Sequence, residues 1–121
     1  MLIAVHSLSP TDSLIIGCWQ IDKVAFIAPL EDSAGFMAQM KKTIICFEHH
    51  GKFISMRKEN SETKTVTAGK YSLSANGKTL FQRTFTVDSN TDDPPAEILV
   101  LCRKELVLKV DSIELYFKRA P

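Results

Sequence analysis

The sequence predicts an all-β protein, an eight-stranded up-and-down antiparallel barrel with one short helix after the first strand. Apolar residues recur with a period of two from Thr43 onward, which is the spacing of half-buried strands. Short segments are separated by turn residues, among them the Asn76-Gly77 hairpin signal. Only residues 31–42 carry helix signals. Short strands joined by tight turns favour an up-and-down barrel.

The first predicted strand covers residues 19–27 and ends before Pro29. The predicted helix follows at residues 31–42, where Phe36 and Met40 lie at helical spacing. Residues 88–95, rich in Asp and Pro, are the longest predicted break and the one connection long enough for a Greek key. A two-sheet sandwich therefore stays open as an alternative. The remaining predicted strands are residues 43–48, 52–58, 65–74, 79–87, 98–102, 105–110 and 113–118.

Length and charge limit the possible organisation and partners of the chain. Its 121 residues suit one domain, which we divide into an arm at residues 1–13 and a barrel at residues 14–121. Fifteen basic and fourteen acidic side chains give a net charge of +1. Nucleic acid and membrane insertion are therefore not expected, because there is no basic surplus and a composition with 45% hydrophobic and 24% charged residues is that of a globular protein.

Three cysteines, Cys18, Cys46 and Cys102, lie in apolar strand-like segments. None belongs to a C-x-x-C pair or to a Cys/His pattern with zinc spacing. The favoured interpretation is three buried thiols, because a free cysteine in such a segment behaves as a small hydrophobic residue. One disulfide and a reactive thiol are the alternatives.

Segments at the two ends of the chain resemble the small bacterial lipocalin-like domains, which are calycin-type β-barrels. Gly17-Cys18-Trp19 opens the first strand, and the last strand ends in Lys118-Arg119. The stretches 69–80 and 105–109 add to the likeness, which covers residues 15–120. The resemblance implies that Trp19 plugs the closed end of the barrel, with Gly17 at its entry and Arg119 packed across the indole ring.

The resemblance also bears on localisation, since many such domains are exported to the periplasm or cell envelope. Residues 1–13 contain no Lys or Arg, and Pro10 and Asp12 interrupt the apolar stretch. A secretory signal needs a positive start and an unbroken apolar core. No export signal is expected in the chain as given, and the localisation stays open.

Two arginines interrupt apolar strand faces that we expect to look into the barrel. Arg57 follows Phe53 at i+4, and Arg83 lies between Phe81 and Phe85. With Gly69 leaving room on the intervening strand, the two guanidinium groups could clamp a carboxylate. The alternative is that a bulge turns them outward or that they lie at a solvated rim. The predicted ligand-binding residues are Arg57, Arg83, Phe53, Tyr71, Phe81 and Phe85.

No catalytic motif, cofactor or metal site is indicated. The five glycines form no phosphate-binding loop, and no nucleophile stands beside a base in a recognisable motif. His49-His50 lies in a predicted turn, without a third ligand at suitable spacing. A non-enzymatic role is therefore expected.

Two functions from different classes fit these observations. The first is a binding protein that holds a small apolar or amphipathic molecule inside the barrel. The second is an interaction or inhibitor module whose barrel is filled by its own bulky side chains and takes no small ligand. The free volume inside the barrel distinguishes them.

Overall fold

A computed structural model describes residues 10–26, 40–59, 62–85 and 90–120, and all of its strands belong to one sheet. Helix α1 spans Pro10–Ile15, and a 3-10 turn spans His49–Gly51. The strands are β1 Gly17–Phe26, β2 Thr43–Phe47, β3 Lys52–Glu59, β4 Glu62–Leu73, β5 Thr79–Phe85, β6 Asn90–Asp92, β7 Ala96–Leu101, β8 Glu105–Val110 and β9 Ile113–Arg119.

Eight of these strands form a closed antiparallel ring. Their order around it is β1, β2, β3, β4, β5, β7, β8 and β9, and the pairing of β1 with β9 completes the circle. Strand β6 is an additional three-residue strand that pairs with the end of β5. The predicted eight-stranded barrel is confirmed, and the sandwich alternative is wrong because a continuous ring of pairings leaves no second sheet.

The interior is packed most tightly at the end of the barrel next to α1. Trp19, Phe47, Leu80 and Leu106 bury all or nearly all of their surface there, together with Ile15 of the helix. Full burial of each such side chain contributes about 1.5–3 kcal/mol to folding. These residues form the part of the core that holds the strands together.

Helix α1 begins within the segment that the sequence analysis assigned to the arm. The boundary proposed after Ser13 falls inside the helix, whose Ile15 is completely buried. Pro10 is the first helical residue, a position at which the missing N–H of proline costs nothing. Residues 1–9, and residues 31–39 of the helix predicted at residues 31–42, lie outside the described residues.

The prediction of three buried thiols is wrong. Cys18 and Cys46 are direct register partners on β1 and β2, and they form a disulfide, whereas Cys102 is exposed. Both bonded residues alternate with inward-facing neighbours, so the disulfide lies on the outer surface. The sequence alone could not predict this disulfide, because the pairing of Cys18 with Cys46 depends on the register of β1 against β2.

We predict that this disulfide stabilises the barrel by about 3 kcal/mol, because it closes a loop between residues 28 apart. The double variant Cys18→Ala/Cys46→Ala should therefore unfold at lower denaturant concentration than the wild type. Thiol labelling of the folded, non-reduced protein should modify one cysteine, and labelling after reduction and unfolding should modify three. Labelling of three thiols before reduction would contradict the assignment.

Candidate functional site

The end of the barrel next to α1 is closed by Arg119. Its guanidinium Cζ lies 3.8 Å from the centre of the Trp19 ring. The same group donates hydrogen bonds to the carbonyl oxygens of Leu14 at 2.5 Å, Ile16 at 2.9 Å and Arg103 at 2.9 Å. One side chain thus joins the helix segment, the last strand and the β7–β8 turn. The contact implied by the sequence resemblance is present.

Gly17 makes this contact possible. Its φ of +127° belongs to the region that favours glycine, and a Cβ there would lie 2.6 Å from Arg119 Nη1. The indole Nε1 of Trp19 donates to the Ile15 carbonyl at 2.8 Å, so the polar atom of the buried ring is satisfied. The neighbouring Lys118 points outward and pairs with Asp22 at 3.2 Å.

The opposite part of the barrel interior has one polar wall. Because Phe53 packs in the core and the β2–β3 register is regular, Ser55 and Arg57 share its inward face. The inward residues of β2, β4 and β5 in this region are also polar. All are partly exposed, although Arg57 Nε itself is buried. We call this set the polar wall: Thr43, Ser55, Arg57, Thr67, Gln82 and Thr84.

The facing strands form an apolar wall on the other side of the interior. The residues of this apolar wall lie on β1, β7, β8 and β9, belong to the core or pack against it, and carry no charge. The barrel interior is therefore amphipathic, with hydroxyl groups, an amide and a guanidinium on one side and apolar side chains on the other. The apolar wall comprises Val24, Phe26, Ile98, Val110, Ile113 and Leu115.

The inward orientation predicted for Phe81, Arg83 and Phe85 is wrong. Their strand β5 turns Leu80, Gln82 and Thr84 inward, because these residues pair with the inward positions Leu73, Tyr71 and Gly69 of β4. Leu80 is only 1% exposed, whereas Phe81 and Phe85 are 44% and 39% exposed. The predicted inward face of β5 is therefore its outward face.

Arg83 therefore lies outside the barrel and cannot join Arg57 in a carboxylate clamp. It forms an ion pair with Asp92 of β6, with Nε 2.7 Å from Oδ1. This partner raises the pKa of Arg83 and lowers the pKa of Asp92, through the hydrogen bond first and the charge second. On the inner side, Thr84 Oγ1 donates to Asp93 Oδ2 at 2.6 Å. Strand β6 is thus held to β5 from both faces.

The gap expected above Gly69 is occupied by protein atoms. A Cβ on Gly69 would lie 2.0 Å from the Arg83 carbonyl oxygen and 2.8 Å from the Phe53 ring. Phe53 therefore belongs to the packed core, and its ring uses the space that glycine leaves. Tyr71 also faces inward, with its ring 4.9 Å edge-on from Phe47 and its hydroxyl donating to the Glu48 carbonyl.

Neither metals nor membrane-spanning helices are indicated by the described residues. Within them, no group of three His, Cys, Asp or Glu side chains could hold a metal ion. His49 and His50 are exposed in the 3-10 turn, as the predicted polar turn requires. No helix in the described ranges is long and apolar enough to cross a membrane.

Comparison with solved structures finds the same fold. A lipocalin-like protein from Bacteroides uniformis superposes with a TM-score of 0.66 at 13% identity, covering 88% of this chain and 98% of its own. An uncharacterized protein from Bacteroides eggerthii gives 0.69 at 11% identity, covering 88% and 99%. No protein-family model and no curated protein matches the sequence. The shared fold is lipocalin-like.

We predict that Arg119→Met lowers the free energy of unfolding by about 2–4 kcal/mol, because it removes three charge-assisted hydrogen bonds and the contact with the indole. Arg119→Lys should recover only part of this loss, since an ammonium group cannot donate in the geometry of the guanidinium fork. Urea unfolding measures both. Lys118→Met is the matched control and should change stability by less than about 1 kcal/mol. Equal effects at the two positions would contradict the structural role of Arg119.

Proposed function

We propose that this lipocalin-like barrel binds a small amphipathic molecule in the half of its interior away from Trp19. The observation that carries the proposal is the composition of that half. Its polar wall holds a guanidinium and several hydroxyl groups on residues that are partly exposed, while the facing wall is apolar. Binding pockets for small ligands combine an apolar lining with a few polar groups that fix orientation.

Arg57 is the proposed anchor for the polar group of the ligand. It is the charged member of the polar wall. Thr43 is its register partner on β2, and Ser55 lies two residues before it on β3. A guanidinium can donate two parallel hydrogen bonds to a carboxylate, and hydroxyl groups can supply further ones. The apolar part of the ligand would lie against the opposite wall. The ligand class is therefore a small acid with an aliphatic or aromatic body.

A filled barrel that acts as an interaction module is the second candidate. The complete burial of Trp19, Phe47, Leu80 and Leu106 favours it, because the half near α1 leaves no room for a ligand. The two candidates differ in the other half, where the inward residues are smaller or more polar. In both, the proposed role is binding without chemical conversion of a substrate.

We predict that the protein binds decanoic acid and that Arg57→Met weakens this binding roughly ten- to a hundredfold. A buried hydrogen bond to a charged group contributes about 1.5–3 kcal/mol, which corresponds to that range of affinity. Calorimetric titration measures it. Arg83→Met is the matched control, since it removes an arginine from the outer surface and should leave the affinity unchanged.

Decanol separates the two contributions to this affinity. It offers the same aliphatic chain without the carboxylate, so it should bind the wild type and Arg57→Met with similar affinity. If decanoic acid binds wild type, Arg57→Met and Arg83→Met equally, the anchor is disproved. If the wild type binds neither compound, the ligand-binding proposal fails and the filled module is favoured.

A further inference from the structure

The outer surface of β3, β4 and β5 carries a transverse row of cations. Lys52 is the register partner of Lys70, and Lys70 is the register partner of Arg83. The three side chains are exposed on neighbouring strands, and adjacent strands lie about 4.8 Å apart. Like charges directly opposite each other in a sheet are destabilising. The chain therefore maintains this basic row at a cost to its own folding.

Acidic residues stand at both ends of the basic row. Asp92 pairs with Arg83 at one end. At the other end, Glu48 precedes the turn that leads to Lys52, and its backbone N–H donates to the Lys52 carbonyl at 2.7 Å. Among the described residues, no ion pair links Lys52 or Lys70 to a carboxylate. The uncompensated part of the row is about 5 Å wide, which suits one or two anionic groups and not a continuous polyanion.

Exposed apolar side chains lie beside the basic row. Phe81 and Phe85 flank Arg83 on the outer face of β5, and both expose more than a third of their surface. A groove of about 390 Å³ opens beside Phe81, lined by Lys70, Ser72, Phe81, Arg83 and Asp92 among others. Exposed apolar groups gathered at one place mark interaction sites more often than isolated ones.

We propose that this groove, together with the neighbouring Lys52, binds an acidic segment of a partner protein, with carboxylates on Lys52 and Lys70 and an apolar side chain against Phe81. Charge complementarity favours this occupant, because carboxylates would relieve the repulsion along the row. Asp92 lines the end of the groove and already neutralises Arg83, so its carboxylate limits how far an anionic chain can extend. A nucleic acid fits less well, since Asp92 and Glu48 would repel its successive phosphates.

The test uses the capped peptide Glu-Leu-Glu-Leu-Glu as the probe and the full-length, isotope-labelled protein. Amide resonances followed by NMR during titration should shift on the outer face of β3–β5. Replacing the glutamates by glutamine should abolish binding, and replacing the leucines by glycine should weaken it. Raising the salt concentration from 0.05 to about 0.5 M should also weaken it, because exposed charges are screened.

Variants locate the contact. Lys52→Gln/Lys70→Gln should weaken peptide binding by about tenfold, corresponding to two exposed ion pairs. Lys58→Gln is the control for loss of a positive charge elsewhere on the same surface, because Lys58 lies on the same outer face of β3 about 20 Å from Lys52. It should change the affinity by less than about twofold. Arg57→Met should have no effect, which keeps this outcome independent of the proposed interior site.

Lys70→Glu supplies a second readout. It places an anion between two cations, so the melting temperature should rise by up to about 5 °C while peptide binding is lost. The proposal is overturned if the wild type does not bind the glutamate peptide, if the glutamine peptide binds equally well, or if Lys58→Gln weakens binding as much as the double variant. Tighter binding of a ten-residue thymidine oligonucleotide to the same row would also overturn it, in favour of a nucleic-acid surface.

Discussion

The contact between Arg119 and Trp19 is the constraint on which the rest of the barrel depends. It joins the last strand to the first, and its three hydrogen bonds hold the α1 segment and the β7–β8 turn across the same end. With that end closed, the large buried side chains fill the interior near it. The proposed ligand would lie in the other half, where the inward residues of β2–β5 are polar.

Alternation along β3–β5 gives the two surfaces of the barrel different chemistry. The inner surface carries Arg57 among hydroxyl groups, opposite the apolar wall. The outer surface carries Lys70 and Arg83 beside the exposed ring of Phe81. Because neighbouring residues of a strand point to opposite faces, these two sets are separated by the sheet itself. The proposed interior site and the proposed docking surface can therefore be altered independently.

The contact of Gly17 and Trp19 with Arg119 could be predicted from sequence, whereas the inward and outward faces of β5 could not. Gly17 has a positive φ and leaves room for Arg119, whose guanidinium lies over the Trp19 ring, so the three residues form one specific pattern. On β5, the outward residues Phe81 and Phe85 are more hydrophobic than the inward Gln82 and Thr84, and periodicity alone selected the wrong face. The correct register depends on pairing with β4, where Gly69 accepts Thr84 as its partner. The disulfide likewise follows from strand pairing and not from local pattern.

Hydrogen exchange of the Trp19 indole N–H tests the closure of the barrel most directly. This group is buried and donates to the Ile15 carbonyl. If Arg119 closes that end, the N–H should exchange only when the whole protein unfolds, so its exchange free energy should equal the global free energy of unfolding and fall in parallel with it as denaturant is added. Exchange in the folded protein at a rate close to that of a free indole would show that this end is open and would contradict the account.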